Sequence, residues 1–233
     1  MNDLIEIEIN GESLVFSTSA GLFSPSSADA GSLAMLNSVD FEAGQKVLDL
    51  GCGYGLVGIY AARKTGSGTV WMLDIDPEAI ENCRINASIN SIQIADFICA
   101  DGPEILFKMG LSSSFDYILS NPPYHTDFSV ARRFIESSYR LLSDEGFLVM
   151  VVKRLTWYRN KIRSVFGGVI VKQVGEYFIL SAQKRKLCPS NGDTAKKTVE
   201  RSAGSGKGTR KHQKKLAANY KKPKKKGRQP GLK

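Results

Sequence analysis

Apolar and polar residues alternate with period two over Leu4-Ile-Glu-Ile-Glu-Ile9 and again over Ser13-Leu-Val-Phe-Ser17. Asn10-Gly11 stands between the two runs, and this pair closes tight two-residue turns well, so the pattern predicts an N-terminal β-hairpin. A short helix is expected over 29–36. From residue 46 the pattern changes. Strands are predicted over 46–50, 69–73, 96–99, 115–120 and 147–152, and stretches of helical period separate most of them. Asp76-Pro77 starts one of these helices, with the acid as N-cap and the proline at the first helical position. Val130, Phe134, Ser138, Leu141 and Leu142 share one face of another helix, over 129–142. Ser143-Asp-Glu-Gly146 reads as a turn, and a helix over 155–166 leads to two strands, 169–174 and 177–181. Only Gly175 and Glu176 separate those strands, so they are expected to pair antiparallel. Strands and helices in alternation predict an α/β architecture with a mostly parallel sheet.

The pattern stops near Lys184, and charge shows why. The chain of 233 residues has a net charge of +9, but residues 1–180 carry −7 and residues 181–233 carry +16. The second segment holds too few large apolar residues to offset its chain entropy and is expected to be disordered. The reading therefore divides the chain into 1–38 (hairpin and helix over the site), 39–183 (the α/β core) and 184–233 (a Lys/Arg-rich tail). No apolar run reaches the roughly 20 residues of a membrane span, and the N-terminus lacks the pattern of a secretory signal. Cys52, Cys83, Cys99 and Cys188 form no CxxC pair. They read as reduced thiols of a cytoplasmic protein, with no metal site.

The candidate chemistry lies at the strand ends. Asp49-Leu-Gly51-Cys-Gly53-Tyr-Gly55 joins a strand to a helix, where glycines admit a close ligand and the helix end offers N–H groups. Gly53-x-Gly55-x-x-Gly58 also matches the dinucleotide fingerprint. Register separates the two readings, because Asp49 would repel a pyrophosphate but suits an ammonium group. S-adenosylmethionine carries an ammonium, a sulfonium and no phosphate. Asp74, at the end of the second core strand, suits the ribose hydroxyls of such a ligand. Asp101, after the third, suits an adenine amino group.

Asn121-Pro122-Pro123-Tyr124 follows the fourth core strand. Two prolines stiffen the backbone and remove two donors, leaving the Asn121 oxygen and the Pro122 carbonyl as acceptors. Such a pair suits a planar amino group, whose nitrogen is a poor nucleophile until both hydrogens are held and positive charge can develop on it. Tyr124 adds a flat face for stacking on a base. His125 follows it.

These motifs resemble the class I S-adenosylmethionine-dependent methyltransferases, and among them the amino-methylating group with Asn-Pro-Pro-Tyr/Phe. Together with the hairpin, Gly21-Leu-Phe-Ser24 and Asp29-x-Gly31-Ser32, they look like the catalytic domain of the ribosomal RNA small subunit methyltransferase C family over residues 4–182. The resemblance implies a doubly wound, Rossmann-like seven-stranded sheet with an antiparallel last strand. It implies S-adenosyl-L-methionine as cofactor, with Asp49, Gly51 and Gly53 at its methionine end, Asp74 at the ribose and Asp101 at the adenine. Asn121, shared by cofactor and substrate, and Pro122 would hold the target amine, Tyr124 would meet the base, and Phe23, Asp29 and Ser32 would cover the cofactor. The implied reaction is methylation of guanine N2 in ribosomal RNA. The extra non-catalytic domain of longer family members is not expected here, and the lysine-rich tail departs from the family pattern.

Arg210-Lys-His-Gln-Lys-Lys215 and Lys221-Lys-Pro-Lys-Lys-Lys-Gly-Arg228 in that tail suit non-specific binding to RNA phosphates. No membrane partner is expected. Other readings of the same motifs are methylation of adenine N6, methylation of a protein glutamine, or an RNA-binding or ribosome-assembly protein that keeps the fold without the chemistry.

Overall fold

The computed structural model describes residues 3–18, 29–123 and 128–186. The predicted hairpin forms from β1 (Asp3–Ile9) and β2 (Glu12–Thr18), paired antiparallel around Asn10-Gly11, both with positive φ. Helix α1 (Ala30–Leu36) follows, capped by Asp29. The core then alternates: β3 (Val47–Leu50), α2 (Leu56–Thr65), β4 (Val70–Asp74), α3 (Pro77–Ile89), β5 (Asp96–Cys99), α4 (Glu104–Lys108) and β6 (Phe115–Ser120). It ends with α5 (Phe128–Leu141), β7 (Leu142–Val152), α6 (Leu155–Phe166), β8 (Ile170–Val174) and β9 (Tyr177–Gln183).

Seven strands form one sheet in the order β5-β4-β3-β6-β7-β9-β8. All its neighbours pair in parallel except β9, which lies antiparallel between β7 and β8. The central strands are mostly apolar because both faces are covered, with Asp49 in β3 and Asp116 and Ser120 in β6 as polar exceptions. Along β7 the side chains alternate, with Leu148, Met150 and Val152 on the α5–α6 side and Val149 and Val151 on the α1–α2 side.

Three features differ from the sequence expectation. The predicted turn at 143–146 is an irregularity inside β7, where five steps from Leu142 to Phe147 match two on β6 from Phe115 to Tyr117. Glu145 takes φ 66° there, and a Cβ on Gly146 would come within 2.8 Å of the Phe115 carbonyl oxygen. Helix α4 was not expected, since five residues are too few to show a helical period. The body also runs past residue 183. Lys184 is buried, its Nζ donates to the Leu142 carbonyl at 2.6 Å and to Ser113 Oγ at 3.3 Å, and its backbone pairs with Glu145 and Gly146. Residues 187–233, and with them the expected disorder of the tail, lie outside the described residues.

The hairpin is fastened to the core by two buried asparagines one helical turn apart, Asn86 on α3 and Asn90 at its C-cap. Asn86 accepts from the Ser17 N–H at 2.7 Å and donates to the Ser17 and Tyr54 carbonyls at 3.2 and 2.9 Å. Asn90 makes the same paired bonds with Val15, at 2.9 and 2.6 Å. Alternate residues of a strand and residues i and i+4 of a helix advance by similar distances, so the two amides act as a substitute neighbouring strand. Asn86→Ala strands buried peptide groups without partners and is expected to destabilise the protein by about 1–3 kcal/mol, read from the denaturant midpoint.

Candidate active site

The sheet topology reverses at β3 and β6, and the site lies beyond the carboxyl ends of those strands, at the switch point. A cavity of about 460 Å³ opens there. Asp49, Gly51, Gly53, Asp74, Asp101, Asn121 and Pro122, all expected from the sequence, line it together. Tyr124 and His125 fall outside the described residues, as do Phe23 and the 21–24 segment.

Asp49 is buried at the floor. Its Oδ2 accepts from the Gly58 N–H of α2 at 2.8 Å, and no cation faces it among the described residues. Burial pushes its carboxyl up to about 7, with the Gly58 N–H opposing and the Asp74 carboxylate adding to the rise. Gly58 also leaves little room for a side chain. A Cβ there would sit 2.3 Å from Met72 Cε and 3.1 Å from Asp49 Oδ2.

Asp74 ends β4 and folds back on the glycine turn. Its two oxygens accept from the Gly53 N–H at 2.9 Å and the Asp76 N–H at 3.1 Å, which fixes the carboxylate at the cavity wall. Gly51, Gly53 and Gly55 all have positive φ, so the turn needs residues without a side chain. Leu56, Leu73, Ile75, Val130 and Phe134 supply apolar wall between the acids.

Asp101 sits at the rim, largely exposed. Arg133 of α5 pairs with it at 3.2 Å and with Glu104 at 2.9 Å, and also donates to the Asp101 carbonyl at 2.5 Å. The glutamate is held below the usual carboxylate range by the Arg133 hydrogen bond. Arg133 lies on a helix with no local motif around it, and only the fold shows that it closes this end of the cavity.

Asn121 follows β6 and is held from α1. Its Nδ2 donates to Asp29 Oδ2 and, at 3.1 Å, to Ser32 Oγ. Asp29 accepts in addition from Ser32 Oγ at 3.0 Å and from the Ser32 N–H at 3.0 Å, as the cap of α1. An ionised carboxylate only accepts, so this contact assigns the amide nitrogen to the Asp29 side. Tyr54 and Cys52 also line the cavity and had no expected role. Burial raises the Tyr54 hydroxyl above its ordinary range, and the Asp29 carboxylate adds to the rise. Cys52 Sγ lies 3.6 Å from Cys83 Sγ, and this contact, then burial, raises its thiol.

The methyltransferase small domain family matches residues 13–181, most of the body just described. The chain belongs to this family. Among relatives of this methyltransferase small domain chain, the ribosomal RNA small subunit methyltransferase C of Pseudomonas syringae pv. tomato is 30% identical over 184 residues, 77% of this chain and 54% of its own. The ribosomal RNA large subunit methyltransferase G of Alteromonas mediterranea is 30% identical over 183 residues, 75% of this chain and 45% of its own. The chain thus spans about half the length of the curated relatives it matches. Among solved structures, the T. thermophilus 16S rRNA N2 G1207 methyltransferase in complex with AdoMet and guanosine superposes with a TM-score of 0.71. It is 26% identical, and the match covers 78% of this chain and 50% of that one. The seven-stranded fold expected from the sequence is therefore both present in this chain and shared with that methyltransferase.

Proposed function

We propose that this protein transfers a methyl group from S-adenosyl-L-methionine to an exocyclic amino group in RNA, and that the target is guanine N2 of ribosomal RNA. The observation that carries the reading is the convergence of a buried acid that meets no cation among the described residues (Asp49) and an oriented amide (Asn121) on one cavity. The names of the three relatives described above, each a ribosomal RNA methyltransferase, support the substrate class.

The residues fit the cofactor. Asp49 provides a carboxylate for its ammonium group, Asp74 a fixed carboxylate for the ribose hydroxyls, and Asp101 with the adjoining backbone a polar edge for the adenine. The apolar wall suits the rest of the molecule. When bound, S-adenosyl-L-methionine supplies an electrophilic methyl group.

This chain's residues act on the substrate amine. With its nitrogen committed to Asp29 and Ser32, the Asn121 amide offers its oxygen as acceptor for one amine hydrogen. The Pro122 carbonyl accepts the other. Both acceptors strengthen as positive charge develops on the attacking nitrogen, so they favour the transition state over the ground state. The methylated ammonium is strongly acidic and loses its proton without a dedicated base. Tyr124 provides the stacking face, and the basic tail tethers RNA to an acidic body.

Asp49 makes cofactor binding pH-dependent. In the free protein its carboxyl titrates near 7, above the ordinary carboxylate value of 3.8. The free fold therefore loses stability from this group as pH rises from about 4 to about 7, where only the unfolded chain is fully ionised. A cationic ligand favours the ionised form. Cofactor affinity is thus expected to rise with pH up to about 7, by as much as tenfold per unit, and then level off. Calorimetry in buffers of different ionisation enthalpy should detect proton release below pH 7. The Asp49→Asn protein should bind weakly with no such dependence.

Labelled methyl transfer tests the substrate class. Incubated with total RNA, genomic DNA and cell protein in parallel, the enzyme is expected to label RNA. Label confined to DNA or protein would favour the adenine N6 or glutamine alternatives instead.

A further inference from the structure

We propose that the outer face of α6, continued by Arg185 and Lys186, is a docking surface for the phosphate backbone of RNA. The inference rests on the RNA-methyltransferase reading and identifies where on the body the substrate lies. It begins from an uneven charge distribution. Residues 153–175 contain six Lys/Arg and no Asp/Glu, whereas the rest of residues 1–180 contains eight Lys/Arg and 21 Asp/Glu. The net negative charge of the rest of the body opposes a polyanion, whereas this segment carries cations with no acid among them.

The fold turns that segment into a line. Tyr158, Ile162 and Phe166, spaced by one helical turn each, are buried against the sheet. That packing fixes Arg159 and Arg163 on the outer face, about one turn apart, and Arg154 at the N-cap is exposed as well. Two of the six cations are neutralised locally, Lys153 by Glu176 and Lys161 by Glu136. Arg154, Arg159 and Arg163 meet no carboxylate among the described residues.

Topology gives the line its direction. β7 runs parallel to β6, so Val152 ends at the same edge as Asn121, and α6 starts there. The helix then runs back about 18 Å to the opposite edge. β9 runs antiparallel to β7 and ends at that opposite edge too. Arg185 follows it, with its guanidinium 3.7 Å from where a Cβ on Gly167 would stand, beside the last turn of α6. The cations therefore run from the edge that carries the site to the point where the basic tail begins. Three of them are arginines, two on the helix and one at its N-cap, whose planar donor forks match phosphate oxygens. A membrane surface fits less well. The apolar side of α6 is already buried in the core, and its outer face (Thr156, Arg159, Asn160, Arg163, Ser164) has nothing to insert between lipids.

The test uses the full chain carrying Arg154→Gln, Arg159→Gln and Arg163→Gln together, and a control chain carrying Lys46→Gln, Arg84→Gln and Lys108→Gln. All six positions are exposed. Binding to a labelled RNA hairpin is measured between 50 and 200 mM salt. The α6 variant should show a salt slope shallower by about two to three, with cofactor affinity and thermal midpoint unchanged. The control should keep the wild-type slope. An unchanged slope in the α6 variant, or an equal change in the control, overturns the proposal. So does intact RNA binding by the α6 variant with loss of binding to phosphatidylserine vesicles. If the wild-type protein transfers no methyl group yet the α6 variant shows the shallower slope, the enzymatic reading fails and the docking surface stands.

Discussion

Asn121→Ala is expected to lower methyl transfer about 10²–10³-fold while cofactor affinity stays close to wild type. The side chain is held from outside its own loop. Asp29 and Ser32, on the cap of α1, take its amide nitrogen, so removing the amide leaves the cavity walls in place but deletes an oriented acceptor. The loss should fall on kcat rather than on binding, because the contact matters most when charge develops on the attacking nitrogen. Single-turnover transfer and calorimetric cofactor titration on the same preparation separate the two effects. Transfer at the wild-type rate by this variant would remove Asn121 from the mechanism.

The second large effect concerns the tail. A protein that neutralises 6–10 phosphates loses about 10³–10⁵ in affinity between 50 and 200 mM salt. Residues 189–233 carry 15 Lys/Arg and two acids, whereas Met1–Cys188 forms a compact unit with its own core. Deleting 189–233 should therefore flatten the salt slope strongly and weaken RNA binding at low salt, with cofactor binding intact. The slope that remains should be that of the arginines on α6 with Arg185 and Lys186. RNA binding by the truncated protein with an unchanged slope would show that the tail is not a tether.

What the sequence disclosed follows from the range of the interactions involved. Strands β3, β6 and the 147–152 part of β7 are legible because a sheet covered on both faces demands short, mainly apolar runs. Asp49, Asp74 and Asn121 are legible because an α/β sheet places its ligands at strand ends, so position in the pattern already indicates a site. Contacts between distant segments leave no such local mark. Asn86 and Asn90 look like polar positions on an ordinary helix, yet they serve a strand about 70 residues away. Asp29 reads as a helix cap, and its second task depends on Asn121, 92 residues later. Arg133 becomes part of the site only because the fold brings α5 within reach of Asp101, which follows β5. The irregular stretch of β7 resembles a turn in sequence because Glu145 and Gly146 supply the residues a turn would use.

The opposed charges of the chain have a common logic in this account. Acids gather at the cavity that takes a cationic cofactor, and cations gather on α6 and in the tail, where a polyanion would lie. The measurement that tests the central claim most directly is transfer of labelled methyl from S-adenosyl-L-methionine to ribosomal RNA from cells lacking this protein, followed by nucleoside analysis. Label is expected in N2-methylguanosine, and none with RNA from cells that retain the protein. Absence of label from RNA, by a preparation that binds the cofactor, would contradict that claim.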